Sequence, residues 1–394
     1  LTGLAPYDEP TLQQALVTLR RELHRHPEVG FTERWTSNLI QQRMGDLGLE
    51  VRATAGTGLV ATLRGGRPGP TVLVRAELDA LPIQEASEAT YRSEHAGAMH
   101  ACGHDAHMAV ATTVARRLAE LRDELAGTVK FAFQPAEEIA GGAKQMVEEG
   151  ALEAPSVDAV LALHVWQDLP VGTIGVAGGP IWAAVDDLTF TVYGRSGHGA
   201  MPHQTVDAIV IASQIVNALQ TIVSRTRSPF APAVLTIGSI HGGTAWNIIA
   251  DRVEMRGTLR TFDPTVRDRL LGRITAIAKG IAESMEATCD VEDRYGAPPV
   301  VNNEALVEVV RAATIPLVGA ERVVTNVHSA GGDDFSYFAQ DKPGCMFLVG
   351  SSNAARGLDK PHHHPSFDID EACLPIAAAS LDAVIRASLR TLAQ

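Results

Sequence analysis

Three apolar runs each end beside residues able to bind a metal, and this coincidence restricts the possible folds more than any other feature of the chain. Residues 71–78 (TVLVRAEL) are β-branched and bring Glu77 and Asp79 to the end of the run. Residues 129–134 are followed by Glu137 and Glu138, and residues 157–165 carry His164 near their close. Helical patterns lie between them, at 107–121, where Ala, Val and Leu recur on one face, and at 142–150. Strand, helix, strand in this order predicts an α/β layer with a mainly parallel sheet. In such sheets, sites form outside the carboxyl ends of the strands. One histidine at a strand end is more often a core residue; donors at three strand ends support one another.

Residues 99–107 read MHACGHDAH. Cys102 and His104, two positions apart, are soft and borderline donors, and both are read as metal ligands. A thiolate can bridge two cations, and it favours Zn or another borderline metal over Mg or Ca. Asp105 and His107 are weaker candidates, the first lying behind a ligand, the second an ordinary histidine near a helix start. Adjacent acids usually mark a solvated helix N-terminus, but Glu137 and Glu138 follow an apolar strand and precede Gly141-Gly142. Neighbouring side chains diverge, so one carboxylate can bind a cation while the other faces a water as general base. Glu137 is assigned as base and Glu138 as ligand, although spacing alone does not order them.

The texture changes near Asp187. Residues 188–193 alternate, 205–225 look helical, 234–240 and 247–262 read as strands, and 266–287 as a second helix. Two helices on one face of a four-stranded antiparallel sheet would make a compact α+β domain. After Pro298-Pro299 the α/β texture returns, with a helix at 304–317, a strand at 346–349 and a closing helix at 371–392. The expected architecture is therefore a larger α/β domain, residues 1–186 and 298–394, with a smaller domain, 187–297, inserted into it. The Gly-rich turn at 194–203 holds His198 at its centre and lacks the Lys of a phosphate loop. Its histidine could donate to a developing oxyanion.

Charge excludes some functions. With 33 basic and 46 acidic residues the chain carries −13, which repels nucleic acid and anionic membranes. The four cysteines, Cys102, Cys289, Cys345 and Cys373, show no disulfide spacing. No basic region followed by an apolar run and a cleavage site opens the sequence, and no run approaches ~18 strongly apolar residues. A cytoplasmic protein with no nucleic-acid or membrane partner is expected.

Eight segments together resemble the aminoacylase-type metallopeptidase family, which includes hippurate hydrolase, auxin-conjugate hydrolases, N-acyl-amino-acid amidohydrolases and related carboxypeptidases. They are 22–28 (ELHRHPE), 75–82 (RAELDALP), 99–107, 134–138 (QPAEE), 163–165 (LHV), 194–203, 331–335 (GGDDF) and 363–365 (HHP). The resemblance implies that the larger domain is catalytic and holds two divalent ions (Zn, Mn, Co or Ni) on Cys102, His104, Glu138, His164 and His363. His362 and His364 are the alternatives for the last ligand. It further implies that Glu137 is the base toward an activated water and that Asp79 orients a ligand. The smaller domain is implied to be a lid and dimerisation domain, giving a homodimer or a dimer of dimers, with His198 reaching the scissile carbonyl. Asn247, Arg260, Gly331 and Gly332 are implied to contact substrate. Asp333 stands where the family pattern has Glu. The implied reaction is hydrolysis of an N-acyl-L-amino acid to a free amino acid and a carboxylic acid. A carboxypeptidase acting on short peptides and a narrow diaminopimelate-type deacetylase are the alternatives, and a non-catalytic metal-storage or thiol-redox protein is the competing class.

Overall fold

The computed structural model describes Tyr7 and residues 9–394. They cluster into two units, one formed by the chain up to Ile181 with Val300–His328 and Asp333–Gln394, the other by Trp182–Pro299 with Ser329–Gly332.

The larger unit is built on an eight-stranded sheet in the order Glu50–Thr54, Gly58–Arg64, Ala126–Gln134, Arg67–Glu77, Ala159–Pro170, Gly344–Ser352, Ile174–Gly175 and Val323–Val324. Its centre is parallel: Arg67–Glu77 pairs with Ala126–Gln134 and Ala159–Pro170, and the latter with Gly344–Ser352. The strands toward Glu50 are antiparallel. Val72, Leu73, Val160, Leu161, Phe347 and Leu348 are fully buried. Consecutive apolar residues of this kind are what a sheet covered on both faces demands. The helices Pro10–Arg25, His104–Glu120, Glu304–Val318 and Cys373–Leu392 pack on one another around the same core. The helix Arg34–Asp46, which the sequence pattern does not single out, starts without a cap of its own. Instead the Glu28 carboxylate accepts from the amides of Arg34, Trp35 and Thr36.

The smaller unit carries a four-stranded antiparallel sheet in the order Ala233–Gly242, Arg252–Thr261, Ala184–Tyr193 and Thr288–Ala297. Leu188, Phe190 and Val192 face the helices Ala208–Thr221 and Pro264–Ser284 in a second core. Asp207 and Asp263 cap these helices by accepting two amide hydrogen bonds each. The single strand expected over 247–262 is two: Ile248–Ile249 pairs with Gly197–His198, and Arg252–Thr261 joins the sheet. By length and composition the stretch Ala208–Thr226 could cross a membrane, which an argument from unbroken apolar runs misses. Its Ile211, Ala212, Ile215 and Leu219 are buried against the sheet.

Candidate metal centre

The larger unit brings Asp79, Cys102, His104, Glu137, Glu138, His164 and His363 into one neighbourhood. The loop 99–103 ends at Gly103, whose φ of +86° turns the chain into the helix His104–Glu120. That turn directs His104 back toward the strand end. His104 Nδ1 donates to the Asp79 carbonyl at 2.8 Å, so Nε2 is the nitrogen left for a cation once the ring gives up its second proton. The Asp79 carboxylate in turn accepts from the Glu138 amide at 3.0 Å. One aspartate thus fixes two of the expected ligands. Glu137 and Glu138 sit on a single 3-10 turn bracketed by Ala136 and Ala140, both with positive φ, and successive residues of such a turn point about 120° apart.

The donor atoms form a chain. Ligand atoms of Cys102, His104 and Glu138 all lie within 4.8 Å of one another. His104 Nε2 is 3.9 Å from Glu138 Oε1, and both atoms are buried without a hydrogen-bond partner. Cys102 Sγ is 3.6 Å from His164 Nε2, and Glu138 Oε2 is 3.4 Å from His363 Nε2. Two donors on one cation, each ~2.0–2.3 Å from it, stand at about these separations. Buried polar atoms left unpaired are costly, so a cluster of them facing one point fits a cation.

Electrostatics agrees. Burial, then Asp333 and Glu138, push Glu137 well above the ordinary carboxylate range. Burial foremost, and Asp79 next among the raising groups, lift Glu138 to about 7 although His104 opposes it. The Cys102 thiol is pushed up by burial and by Glu138, Glu137 and Glu77. Burial pulls His104 down, but Glu77, Asp79 and Glu138 override it and hold it near 10. The cluster is short of positive charge, as residues that fit divalent cations should be without them.

Among the three consecutive histidines, His362 is half-buried and its Nε2 accepts from the Gln167 amide at 3.3 Å, while His364 Nδ1 accepts from the Ser366 amide. Only His363 stands beside Glu138. His164 is not at a strand end, since Ala159–Pro170 runs on past it; pairing with Arg67–Glu77, however, stops at Ala162. Asp105 is buried behind the site, accepting from Arg20 Nε and paired with His24, each at 2.8 Å. His107 is no ordinary helix-start histidine: it is buried, 2.7 Å from Glu77. The sequence gives no reason to single out Arg75, whose buried guanidinium pairs with Glu77, Asp333 and Asp334.

The remaining expected residues belong to the smaller unit and form two groups there. Asn247 is exposed, its carbonyl accepts from the Gly199 amide at 2.8 Å, and His198 pairs with Ile248 beside it. His198 Nδ1 accepts from the Ala200 amide at 3.0 Å, so the proton sits on Nε2. Gly331 accepts from the Ala183 amide, and Gly332 leaves no room for a Cβ between Val185 and the Arg260 guanidinium.

Residues 73–387 match the model of the peptidase family M20/M25/M40. The chain belongs to this family. It is 40% identical over 370 residues to N-acetyl-L-cysteine deacetylase of Bacillus subtilis (strain 168), covering 94% of this chain and 87% of that one. It is 38% identical over 378 residues to thermostable carboxypeptidase 2 of Saccharolobus solfataricus, covering 94% of each. The crystal structure of the Bacillus subtilis YXEP protein, described as a dinuclear metal binding peptidase from the M20 family, superimposes with a TM-score of 0.83 at 34% identity. That match covers 97% of this chain and 100% of that one. As an M20 member with amidohydrolase relatives, the protein is a metal-dependent hydrolase of amide bonds.

Proposed function

We propose that this enzyme cleaves the amide bond of N-acyl-L-amino acids, with Cys102, His104, Glu138, His164 and His363 holding two divalent cations and Glu137 as general base. The convergence of those five donor atoms carries the reading, with Glu137 Oε2 3.9 Å from His104 Nε2 at their edge. When bound, the cation pair would polarise the acyl carbonyl and lower the pKa of a water. Glu137, whose raised pKa suits a proton carrier, accepts the proton of that water and delivers it to the leaving nitrogen. Asp79 keeps His104 and Glu138 in register. His198, protonated on Nε2, is available to donate to the oxyanion. Asn247 and the group of Arg260, Gly331 and Gly332 are assigned to the substrate's carboxylate and amide.

His363 is preferred to its neighbours because the backbone amides of Gln167 and Ser366 already occupy ring nitrogens of His362 and His364. A homodimer formed through the smaller unit is part of this reading. It is supported by where most of the exposed large apolar side chains lie: Met201, Ile209, Val210, Phe230, Ile240 and Trp246 are among those in that unit, whereas the larger unit exposes Phe31, Ile139 and Val301. Four free cysteines favour the cytoplasm. N-acetyl, N-benzoyl and dipeptide substrates, assayed after reconstitution with Zn, Mn, Co or Ni, test the proposal. The expected result is faster turnover of an N-acyl amino acid than of any dipeptide. Preference for dipeptides would make it a carboxypeptidase, and no metal-dependent turnover of either would sink the reading.

A further inference from the structure

The strand Ala159–Pro170 loses a neighbour midway. Its pairing with Arg67–Glu77 runs from Ala159 to Ala162 and then stops. The Val160 amide donates to Pro343 on the opposite side, so alternation turns the Val165 amide toward the missing rungs. An unpaired buried amide there would be costly. It is not unpaired: His107 Nε2 accepts from it at 2.9 Å. The same ring's Nδ1 meets Glu77 Oε2, at the end of the neighbouring strand, at 2.7 Å. The imidazole therefore replaces a rung of the sheet.

This arrangement fixes protons. Because Val165 N–H donates to it, His107 Nε2 holds a lone pair and Nδ1 holds the proton given to Glu77. Glu77, His104, His107 and His164 crowd closely enough to suggest a metal site of their own. His107 has no lone pair left for a metal. What it holds is Val165 by its amide, and the carbonyl of that same residue, one peptide further on, accepts from His164 Nδ1 at 2.6 Å. That bond places the His164 lone pair on Nε2, the atom 3.6 Å from Cys102 Sγ. The His107 and His164 rings also touch, with centroids 4.5 Å apart.

We propose that His107 is a positioning residue: bridging Glu77 and the Val165 amide, it fixes Val165, the residue whose carbonyl aims His164 Nε2 at the cation site it shares with Cys102. The proposal rests on the reading of His164 as a ligand. Groups that orient a ligand from behind typically change metal affinity about 10–100-fold when removed.

The test is a Co titration of the metal-stripped full-length protein, followed by calorimetry and by the visible spectrum, in wild type, His107→Phe, His107→Gln and His164→Ala. His164→Ala should abolish one of two binding steps. His107→Phe, which fills the space but bonds to neither partner, should weaken that same step about 10–100-fold and alter its thiolate-to-Co band. The other step should stay within about threefold of wild type. His107→Gln, which keeps a donor and an acceptor, should restore most of the affinity. If the phenyl ring prevents folding, His107→Ala removes the same bonds and is read in the same way. Both steps unchanged in His107→Phe while His164→Ala loses one would overturn the positioning role and leave the ligand reading standing. Equal weakening of both steps would reduce His107 to a structural residue. Two intact steps in His164→Ala would remove the ligand reading itself, and the proposal with it.

Discussion

Gly103 separates the two proposed ligands that stand out most clearly in the sequence, Cys102 and His104, and it is the residue whose chemistry is least replaceable. Its φ of +86° lies in the left-handed region, and a Cβ there would run into Val165. Gly103→Ala should cost the metal-free protein about 1–3 kcal/mol in urea denaturation. It should also weaken cation binding, because Cys102 and His104 can no longer both face the site. Wild-type stability and affinity together would contradict this. The Glu137→Gln enzyme should bind cations as wild type does yet lose at least ~10²-fold in kcat. Near-normal turnover would mean that the proton carrier lies elsewhere. At this scale the sequence was informative where a residue's chemistry is unusual. Cys102, His104 and Glu138 stand out by type and neighbours, whereas Arg75 and His107 act through partners far along the chain. Arg75 pairs with Asp333 and Asp334 across more than half the sequence, a distance no local pattern spans.

Elements were legible wherever burial writes a period into the chain. The strands Arg67–Glu77 and Ala126–Gln134, and the helices His104–Glu120 and Cys373–Leu392, fall within a few residues of their sequence expectation. The strand Ala159–Pro170 ran longer than its apolar core because hydrogen bonds, not hydrophobicity, carry its last residues. Arg34–Asp46 escaped because its cap comes from Glu28, outside the helix. Two predictions belong here. Asp263→Ala removes both cap bonds of the helix Pro264–Ser284 and should cost about 1 kcal/mol, with no change in cation affinity. Loss of cation binding would mean that the smaller unit supports the metal centre. Arg75→Met removes the counter-charge that ties the strand Arg67–Glu77 to Asp333 and Asp334, leaving three buried carboxylates together. A loss of about 3–5 kcal/mol is expected in denaturation of the metal-free protein. A loss below ~1 kcal/mol would show that those acids are neutral in the folded state.

For the whole molecule, the crowded acids make stability and metal binding answer to pH in opposite directions. Glu138 and Asp334 are lifted to about 7, burial being the first cause, from ordinary values of 4.5 and 3.8. Between those values the unfolded chain binds fewer protons than the folded one, so the metal-free protein should lose stability as pH rises from about 4 toward 7. As proposed ligands, Glu138 and Cys102 must be deprotonated to bind a cation, so the Tm gain from added Mn should be larger near pH ~8 than near pH ~6. Thermal scans with chelator and with Mn at both values check this; a pH-independent gain would contradict it. The central claim, that five side chains spread from Cys102 to His363 grip two neighbouring cations, is tested most directly by anomalous diffraction from Mn-loaded crystals. Two anomalous peaks about 3.5–4 Å apart, enclosed by Cys102, His104, Glu138, His164 and His363, are the predicted result. A single peak, or peaks that leave Glu138 or His363 uncoordinated, would contradict it.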